Sequence, residues 1–462
     1  MTGHQKTIDV LVVGAGLSGL SAAFRATRCG ATVEVLDAGD RAGGVIATER
    51  TSGHLVERGP TTMMSSPAVE SLIADLDLEA EVVMPGAAAK RRYVVRNSRM
   101  HALPSSPASL ATSRLLSSWG KLRAMAEPFV PRAPAKAPEE TLAAMVRRRF
   151  GREVLDYFVD PFVSGVYAGN ADRLSSHHAM RVLREMEMRH GSVVLGAVRS
   201  LRAGTPRGRM LSFRDGLTRL PDALAAALHN TVRYRRSVVA IRQRLGGWDV
   251  SAVGPHGWER HRAASVVLAA PAHALARIEF PSHLRRDLDV VCRVPYAPIT
   301  TVALGFRRED VEHPLDGFGV LVPRVERARI LGALFNSTLF PDRAPPGDVL
   351  VTCFLGGEGS RPAAVGDDAI RRACETLQPL IGIRGTPVMA QTFTWRHGIP
   401  QYEIGHHEIL AAAERVEAGS PGLFLAGSYR GGVSLADCIA RGLDTGSRAL
   451  SRPGELPAGL TA

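Results

Sequence analysis

The sequence predicts an α/β chain. It comprises a parallel-sheet domain assembled from separate segments, an antiparallel-sheet domain and a helical insertion. Three observations predict this. An apolar strand near the start, Val10–Val13, runs directly into a G-x-G-x-x-G turn, Gly14-Ala15-Gly16-Leu17-Ser18-Gly19. Short β-patterned runs fill much of 238–355. Close to the end, strand, glycine turn and helix recur over Gly422–Leu450. The implied segments are 1–84, 206–275 and 395–452 for the parallel-sheet domain, 85–205 for the helical part, 276–394 for the antiparallel part and a flexible tail at 453–462.

The opening unit carries chemistry. Gly14 permits the tight turn out of the strand, Gly16 lets a pyrophosphate approach the backbone, and Gly19 lets the helix pack close to the sheet. Ala15, Leu17 and Ser18 complete the turn. A helix predicted over Leu17–Thr27 aims its free N–H groups and positive end at the phosphates. A second strand, Thr32–Leu36, ends at Asp37-Ala38, about twenty residues on, where a carboxylate meets ribose hydroxyls. An acid there argues against a 2′-phosphate. Such a unit is Rossmann-like and takes a dinucleotide.

The next stretch selects FAD over NAD. Asp40-Arg41-Ala42-Gly43-Gly44 supplies an arginine and a glycine pair able to clamp the same diphosphate. It is followed by Leu55-Val56-Glu57-Arg58-Gly59-Pro60-Thr61-Thr62. This glycine-rich excursion replaces the immediate strand–helix repeat of a nicotinamide fold and suits a long, permanently bound cofactor.

The chain has 462 residues, enough for two or three domains, with 45% hydrophobic and 22% charged residues. The formal net charge is 57 − 45 = +12, carried mostly by arginine. That charge favours anionic lipid or an anionic substrate, or reflects arginine-rich codon usage. Nucleic acid is not expected as a partner: aromatics are 5%, with no basic run interleaved with stacking residues. Five scattered cysteines without C-x-x-C give neither a disulfide framework nor a zinc site, and buried structural thiols are expected. Met1–Thr7 is polar and no stretch reaches eighteen apolar residues. A cytoplasmic location is expected, with peripheral attachment to the inner face of the cell membrane left open.

From Pro85 the patterns become helical: Leu110–Phe129, Glu139–Phe150, Arg152–Val159 and His177–Met188. Leu115, Leu116, Trp119, Leu122, Met125 and Phe129 recur at helical spacing. With Lys121 and Arg123 they form an amphipathic helix suited either to a membrane interface or to packing on its own protein. Residues 201–210 read as a mobile loop. Strands follow at Val238–Gln243, Trp248–Val253 and Ser265–Pro271. A further run, Ala297–Phe306, Gly317–Val322, Ile330–Phe335 and Asp348–Leu355, suggests one antiparallel sheet. After the last strand, Ser428-Tyr429-Arg430-Gly431-Gly432-Val433-Ser434 leads into a helix at Leu435. Its positive end suits the charge of a reduced flavin ring.

Several motifs together carry a resemblance. They are Lys90-Arg91-Arg92-Tyr93, Asp160-Pro161-Phe162-Val163-Ser164-Gly165-Val166-Tyr167-Ala168-Gly169-Asn170, Gly317–Pro323, Phe340–Pro345 and Ile399-Pro400-Gln401-Tyr402-x-x-Gly405-His406. With the two glycine turns, they make the chain resemble the oxygen-dependent protoporphyrinogen oxidase family of amine-oxidase-like flavoproteins over nearly its full length. The resemblance implies FAD, a porphyrinogen substrate, O2 as acceptor and hydrogen peroxide as product. It implies six-electron oxidation by hydride transfer to the flavin, in heme and porphyrin biosynthesis. It also implies roles for residues. Leu321 and Leu334 sandwich a pyrrole ring, Phe354 stacks on another, and Arg92 pairs with a propionate. The Gly165 carbonyl accepts pyrrole N–H bonds. Gly59, Pro60, Thr61 and Thr62 lie beside the flavin ring, Val238 near the adenine, and Ser428, Val433, Ser434 and Leu435 at the pyrimidine edge. Asp37 departs from the usual Glu. Arg91 competes with Arg92, and plain core competes for the three strand residues.

No Ser–His–Asp arrangement and no metal cluster is seen, and flavin N5 rather than a side chain does the chemistry. His177-His178 and His406-His407 are adjacent pairs whose side chains diverge, so no metal is expected. A coproporphyrinogen III substrate, with four carboxylates rather than two propionates to neutralise, is the near alternative. A flavin amine oxidase or a carotenoid desaturase-like enzyme is the distant one. A homodimer and hand-off of product to ferrochelatase or magnesium chelatase are compatible with this reading.

Overall fold

The structure, a computed structural model, describes residues 7–134, 138–202, 208–357 and 364–450. The strand Ile8–Val13 lies inside a sheet covered on both faces. Side chains alternate across a strand. Val10 and Val12 therefore enter the core beneath the helices Leu17–Arg28, Arg219–Ala227 and Leu435–Arg448. Leu11 and Val13 enter the opposite core beneath Ser282–Cys292 and His406–Ala418.

The strand order from one edge is Val232–Arg233, Val33–Leu36, Ile8–Val13 and Gly257–Leu268. The long strand Gly257–Leu268 serves two sheet halves. Its C-terminal part runs parallel to Ile8–Val13 and to Leu423–Leu425. Its N-terminal part runs antiparallel to Gly247–Gly254, which pairs in turn with Ser237–Arg244. Segments distant in sequence thus complete one sheet.

The second sheet has the order Met389–Pro400, Tyr296–Arg307, Asp348–Gly356, Gly332–Phe335, Gly319–Leu321, Tyr93–Arg96, Arg99–Ala102. It departs from the expected antiparallel sheet at one pair: Gly319–Leu321 runs parallel to Tyr93–Arg96. That hairpin comes from the stretch assigned to the helical part, and Met389–Pro400 runs across the 394/395 boundary. The helix Gly366–Ile381 covers one face, inserting Ala369, Ala373, Leu377 and Ile381 among Val302, Leu304, Val320, Ala333 and Cys353.

The helical part corrects the sequence in two places. Leu110–Phe129 is not one helix but three short pieces, Pro107–Thr112, Ser118–Met125 and Glu127–Phe129. Ser113 turns extended, the Ser117 side chain caps the next piece by accepting from Gly120 N, and Pro128 opens the last. The apolar series therefore splits. Leu115 and Leu116 are buried, whereas Trp119, Leu122, Met125 and Phe129 are 73%, 54%, 65% and 88% exposed. Residues 201–202, expected in a mobile loop, end the helix Val193–Arg202, and Met210 starts a strand. Residues 203–207 and the expected tail at 453–462 lie outside the described residues. Cys29 is exposed rather than a buried thiol, because it caps a surface helix end.

A buried ionic cluster fixes the helical part. Arg149, Glu127 and Glu187 have fully buried side chains. Arg149 bridges both carboxylates and donates to Gly191 O at 2.9 Å. Glu127 also accepts from Val193 N at 2.9 Å, which caps the following helix. Burial raises the Glu187 carboxyl. Hydrogen bonds from Arg148 and Ala133 N, and the Arg148 and Arg149 charges, outweigh it and hold the pKa at about 2. Fully paired, such a cluster avoids the large cost of an isolated buried charge.

Candidate functional site

The site starts at the glycine turn. Gly14 adopts φ +110°, and a Cβ there would meet the Ala269–Ala270 backbone at 3.0 Å. A Cβ on Gly19 would sit 2.0 Å from Gly14 O. Gly16 differs: a Cβ there meets nothing within 4 Å, so it faces open space. Behind it the helix Leu17–Arg28 begins without a side-chain cap and without an acid in its first turn. Space, uncapped N–H groups and a positive helix end coincide, which is what a diphosphate requires.

Asp37 stands at the end of its strand and organises this turn. Its carboxylate accepts from Ala15 N at 2.5 Å and from Gly39 N at 2.7 Å, Ala38 lying between. Arg41 donates to three carbonyls of its own loop, Ala42, Gly44 and Ile46. Gly43 N donates to Ala15 O at 2.8 Å, and Gly44 sits 3.5 Å from Gly16 Cα, measured from a built Cβ. The Arg41 loop is thus laid against the Gly14–Gly19 turn, but its guanidinium ties the loop rather than standing free.

The second glycine turn brings up another helix. Ser434 caps Leu435–Arg448, its hydroxyl accepting from Asp437 N at 3.1 Å. A Cβ on Gly442 would lie 2.4 Å from Ser18 O, and one on Gly446 2.3 Å from Ala22 O. Both contacts advance by one turn, so the two helices run parallel. Their positive ends point the same way, the later one projecting about 9 Å further at 1.5 Å per residue. Gly432 at φ +150° leads into it. Tyr402 fixes this turn: its hydroxyl donates to Ser428 O and accepts from Gly432 N at 2.9 Å. Val433 packs at the edge of the helical core.

Arg58-Gly59-Pro60-Thr61-Thr62 joins the domains. Arg58 O accepts from Thr301 Oγ1 at 3.0 Å and from Trp395 Nε1 at 2.9 Å, both on the second sheet. A Cβ on Gly59 would meet Val45 O at 2.2 Å. Thr61 is buried and its Oγ1 has no partner. Glu57, just before, accepts from Thr48 Oγ1 at 2.7 Å and Leu217 N at 2.8 Å, and burial pushes its carboxyl up to about 7. Val238 is buried on its strand.

The strand residues fall on one face. Leu321 registers with Gly332, which registers with Phe354; Leu334 registers with Gly319 and Thr352. Strand alternation puts Leu321, Leu334 and Phe354 together, opposite the core face of Val320, Ala333 and Cys353. All three are half-buried, and Leu334 also packs against the small cluster of Ala89, Leu339 and Phe340. Gly332 lies between two of them and leaves the sheet flat. Gly165 closes the other side from the helix Asp160–Tyr167, a Cβ there lying 2.7 Å from Leu321 Cδ2.

The two competing arginines differ in their partners. Arg91 is paired with Asp316 and reaches Tyr93. Arg92 is exposed, its guanidinium 5.3 Å over the Phe318 ring. Sequence reasoning missed Thr301, Trp395 and Gly332; the pattern Thr392-Phe393-Thr394-Trp395 carried a strand signal for one of them. The histidine pairs lie elsewhere: one member of each, His178 and His407, turns toward Glu139.

A model of the flavin containing amine oxidoreductase family matches residues 17–449. The chain is similar to protoporphyrinogen oxidase 2, chloroplastic/mitochondrial, of Arabidopsis thaliana, 33% identical over 94% of this chain and 92% of the relative. It is similar to coproporphyrinogen III oxidase of Bacillus subtilis (strain 168), 28% identical over 96% and 98%. A solved structure from Exiguobacterium sp. 255-15 shares the fold, with a TM-score of 0.81 and 24% identity over 96% of this chain and 99% of that one. FAD is therefore the cofactor, and the open face of Gly16, the uncapped helix end and the orphan Thr61 hydroxyl fit it. Because a Cβ on Gly16 meets no protein atom within 4 Å, Gly16→Ala should fold normally yet retain flavin at least about tenfold less tightly. Absorbance-to-protein ratio after gel filtration checks this, and an unchanged ratio contradicts the phosphate role.

Proposed function

The chain belongs to the flavin-containing amine oxidoreductase family, and from that premise we propose that it oxidises protoporphyrinogen IX to protoporphyrin IX with O2 as acceptor. The observation that carries this reading is the shared face of Leu321, Leu334 and Phe354 opposite Gly165. A largely apolar face, bordered by the Gly165 helix, suits a macrocycle. Gly332 and Gly165 contribute no side chain to it.

When bound, FAD supplies the two-electron acceptor and passes the electrons to O2, giving hydrogen peroxide. Gly14, Ala15, Gly16, Leu17, Ser18 and Gly19 hold the diphosphate, with Gly43 and Gly44 beside it. Asp37 both tightens the turn through Ala15 N and offers its remaining lone pairs to the ribose. Gly59, Pro60, Thr61 and Thr62 line the ring, and Ser428, Val433, Ser434 and Leu435 bring the second helix end to its pyrimidine edge. Val238 packs at the adenine.

Leu321, Leu334 and Phe354 exclude water and hold the substrate by area. Six electrons require three passes at one acceptor, so the macrocycle tautomerises between passes. The polar side chains on that face, Thr301 and Thr352, are buried, so its exposed apolar surface does not resist that. The Gly165 carbonyl accepts pyrrole N–H bonds, and Arg92 meets a propionate at the mouth. One free cation suits two propionates better than four carboxylates. An amine substrate is disfavoured because Tyr402 and Tyr429, the aromatics nearest the second turn, are buried, and Tyr402 is spent on backbone.

The exposed Trp119, Leu122, Met125 and Phe129 support peripheral attachment to a membrane. Leu195 and Leu201, also exposed, lie on the helix Val193–Arg202, which Glu127 links to the same region. No helix among the described residues is long and apolar enough to cross a membrane. Sedimentation with anionic vesicles should fall sharply when Trp119 and Phe129 are both changed to Ser. Equal sedimentation of variant and parent would remove the patch from the account.

Anaerobic mixing with protoporphyrinogen should bleach the flavin faster than mixing with coproporphyrinogen. Arg92→Ala should keep its flavin and raise KM roughly tenfold, the size of one charged hydrogen bond. Failure of both porphyrinogens to bleach the flavin would end the proposal, and a faster coproporphyrinogen reaction would reassign the substrate.

A further inference from the structure

Outside the flavin and porphyrinogen sites, three side chains from separate segments converge on one point. Glu139 precedes the helix Leu142–Phe150, His178 precedes the helix Arg181–His190, and His407 is in the first turn of His406–Ala418. Glu139 Oε2 lies 3.3 Å from His407 Nδ1, and Glu139 Oε1 lies 4.0 Å from His178 Nε2. All three ligand atoms fall within 4.8 Å of one another. We propose that Glu139, His178 and His407 bind a divalent transition-metal ion of the zinc class.

The donor set fits that class. Two imidazole nitrogens and one carboxylate oxygen make a three-ligand zinc set with a fourth position open to water. Tetrahedral bonds of 2.0–2.1 Å place ligand atoms about 3.4 Å apart. The set must therefore contract by about 1.4 Å at most, a movement open to His407, which is 61% exposed. No metal is expected from the sequence, because adjacent histidines diverge; the fold nonetheless brings one from each pair to Glu139.

The carboxylate is already oriented. Ser175 Oγ donates to Glu139 Oε1, and Gly405 N donates to Oε2 at 3.0 Å. Such outer hydrogen bonds fix a ligand's direction. The backbone around it is preassembled as well: Ser175 N donates to Tyr402 O at 2.8 Å, and Ser176 N to Glu140 O at 3.1 Å. The helix beginning at His406 turns its positive end toward the point and opposes a cation. The Glu139 charge offsets this.

The site abuts the flavin turn. The His178 ring meets the His406 ring edge-on at 5.3 Å, and His406 lies 4.4 Å from the Tyr402 ring. Tyr402 in turn holds Ser428 O and Gly432 N. A metal here pins the three segments that seat the second glycine turn, so its role is a structural clamp.

Zinc chloride titrated calorimetrically into tag-free, chelator-treated holoenzyme tests this. The expected result is one ion per chain, with binding weakened at least about tenfold in His407→Ala and in His178→Ala. It should be unchanged in Cys29→Ser, which removes the exposed thiol. Zinc should also raise the melting temperature of the parent but not of His407→Ala, since a ligand that binds only the folded state stabilises it. His407 is exposed, so that variant folds whatever becomes of Glu139 variants. No binding by the parent, or equal affinity in His407→Ala, overturns the proposal.

Discussion

Two helices that start from glycine turns at opposite ends of the chain touch backbone to backbone, and the rest of the site hangs on that contact. Gly442 and Gly446 admit Ser18 O and Ala22 O at distances no side chain permits. Arg25 Nε donates to Ser447 Oγ at 2.9 Å across 422 residues of sequence. The approach aligns both positive helix ends, the later one reaching further; on the proposed reading the first meets the diphosphate and the second the ring. A larger residue at either glycine would separate the helices and misplace the second turn without altering a single functional side chain.

The flavin domain meets the second sheet through one strand of backbone. Arg58 O is held by Thr301 and Trp395, so Gly59-Pro60-Thr61 is placed by the substrate sheet as much as by its own domain. The proposed ring position and substrate face are thereby tied together. The same sheet uses its two faces differently: one is filled by the helix Gly366–Ile381, the other kept shallow by Gly319 and Gly332. Cofactor position and substrate position follow from a common set of backbone contacts.

The nucleotide unit was legible because its signal is local: strand, Gly14–Gly19, helix and Asp37 are consecutive. The short strands were legible by alternation. Their order was not, because pairs such as Tyr93 with Val320 join distant segments and leave no mark on periodicity. The stripe from Leu115 to Phe129 kept helical spacing while Ser113, Ser117 and Pro128 broke the helix, so the spacing overstated its length. The pairing of Arg91 with Asp316, which leaves Arg92 the candidate in the proposed reading, is one only the fold brings about. Glu139 likewise gives no hint in sequence of the two histidines it meets.

The central claim is that the macrocycle lies on the Leu321–Leu334–Phe354 face, beside the Gly165 helix that borders it, against a flavin held by both helix ends. A crystal structure of the flavin-loaded protein with a bound, fully oxidised porphyrin tests it most directly. The account predicts the ring in contact with those four residues and a carboxylate at Arg92. A porphyrin bound on any other surface, or a flavin whose diphosphate lies away from Gly16, would contradict it.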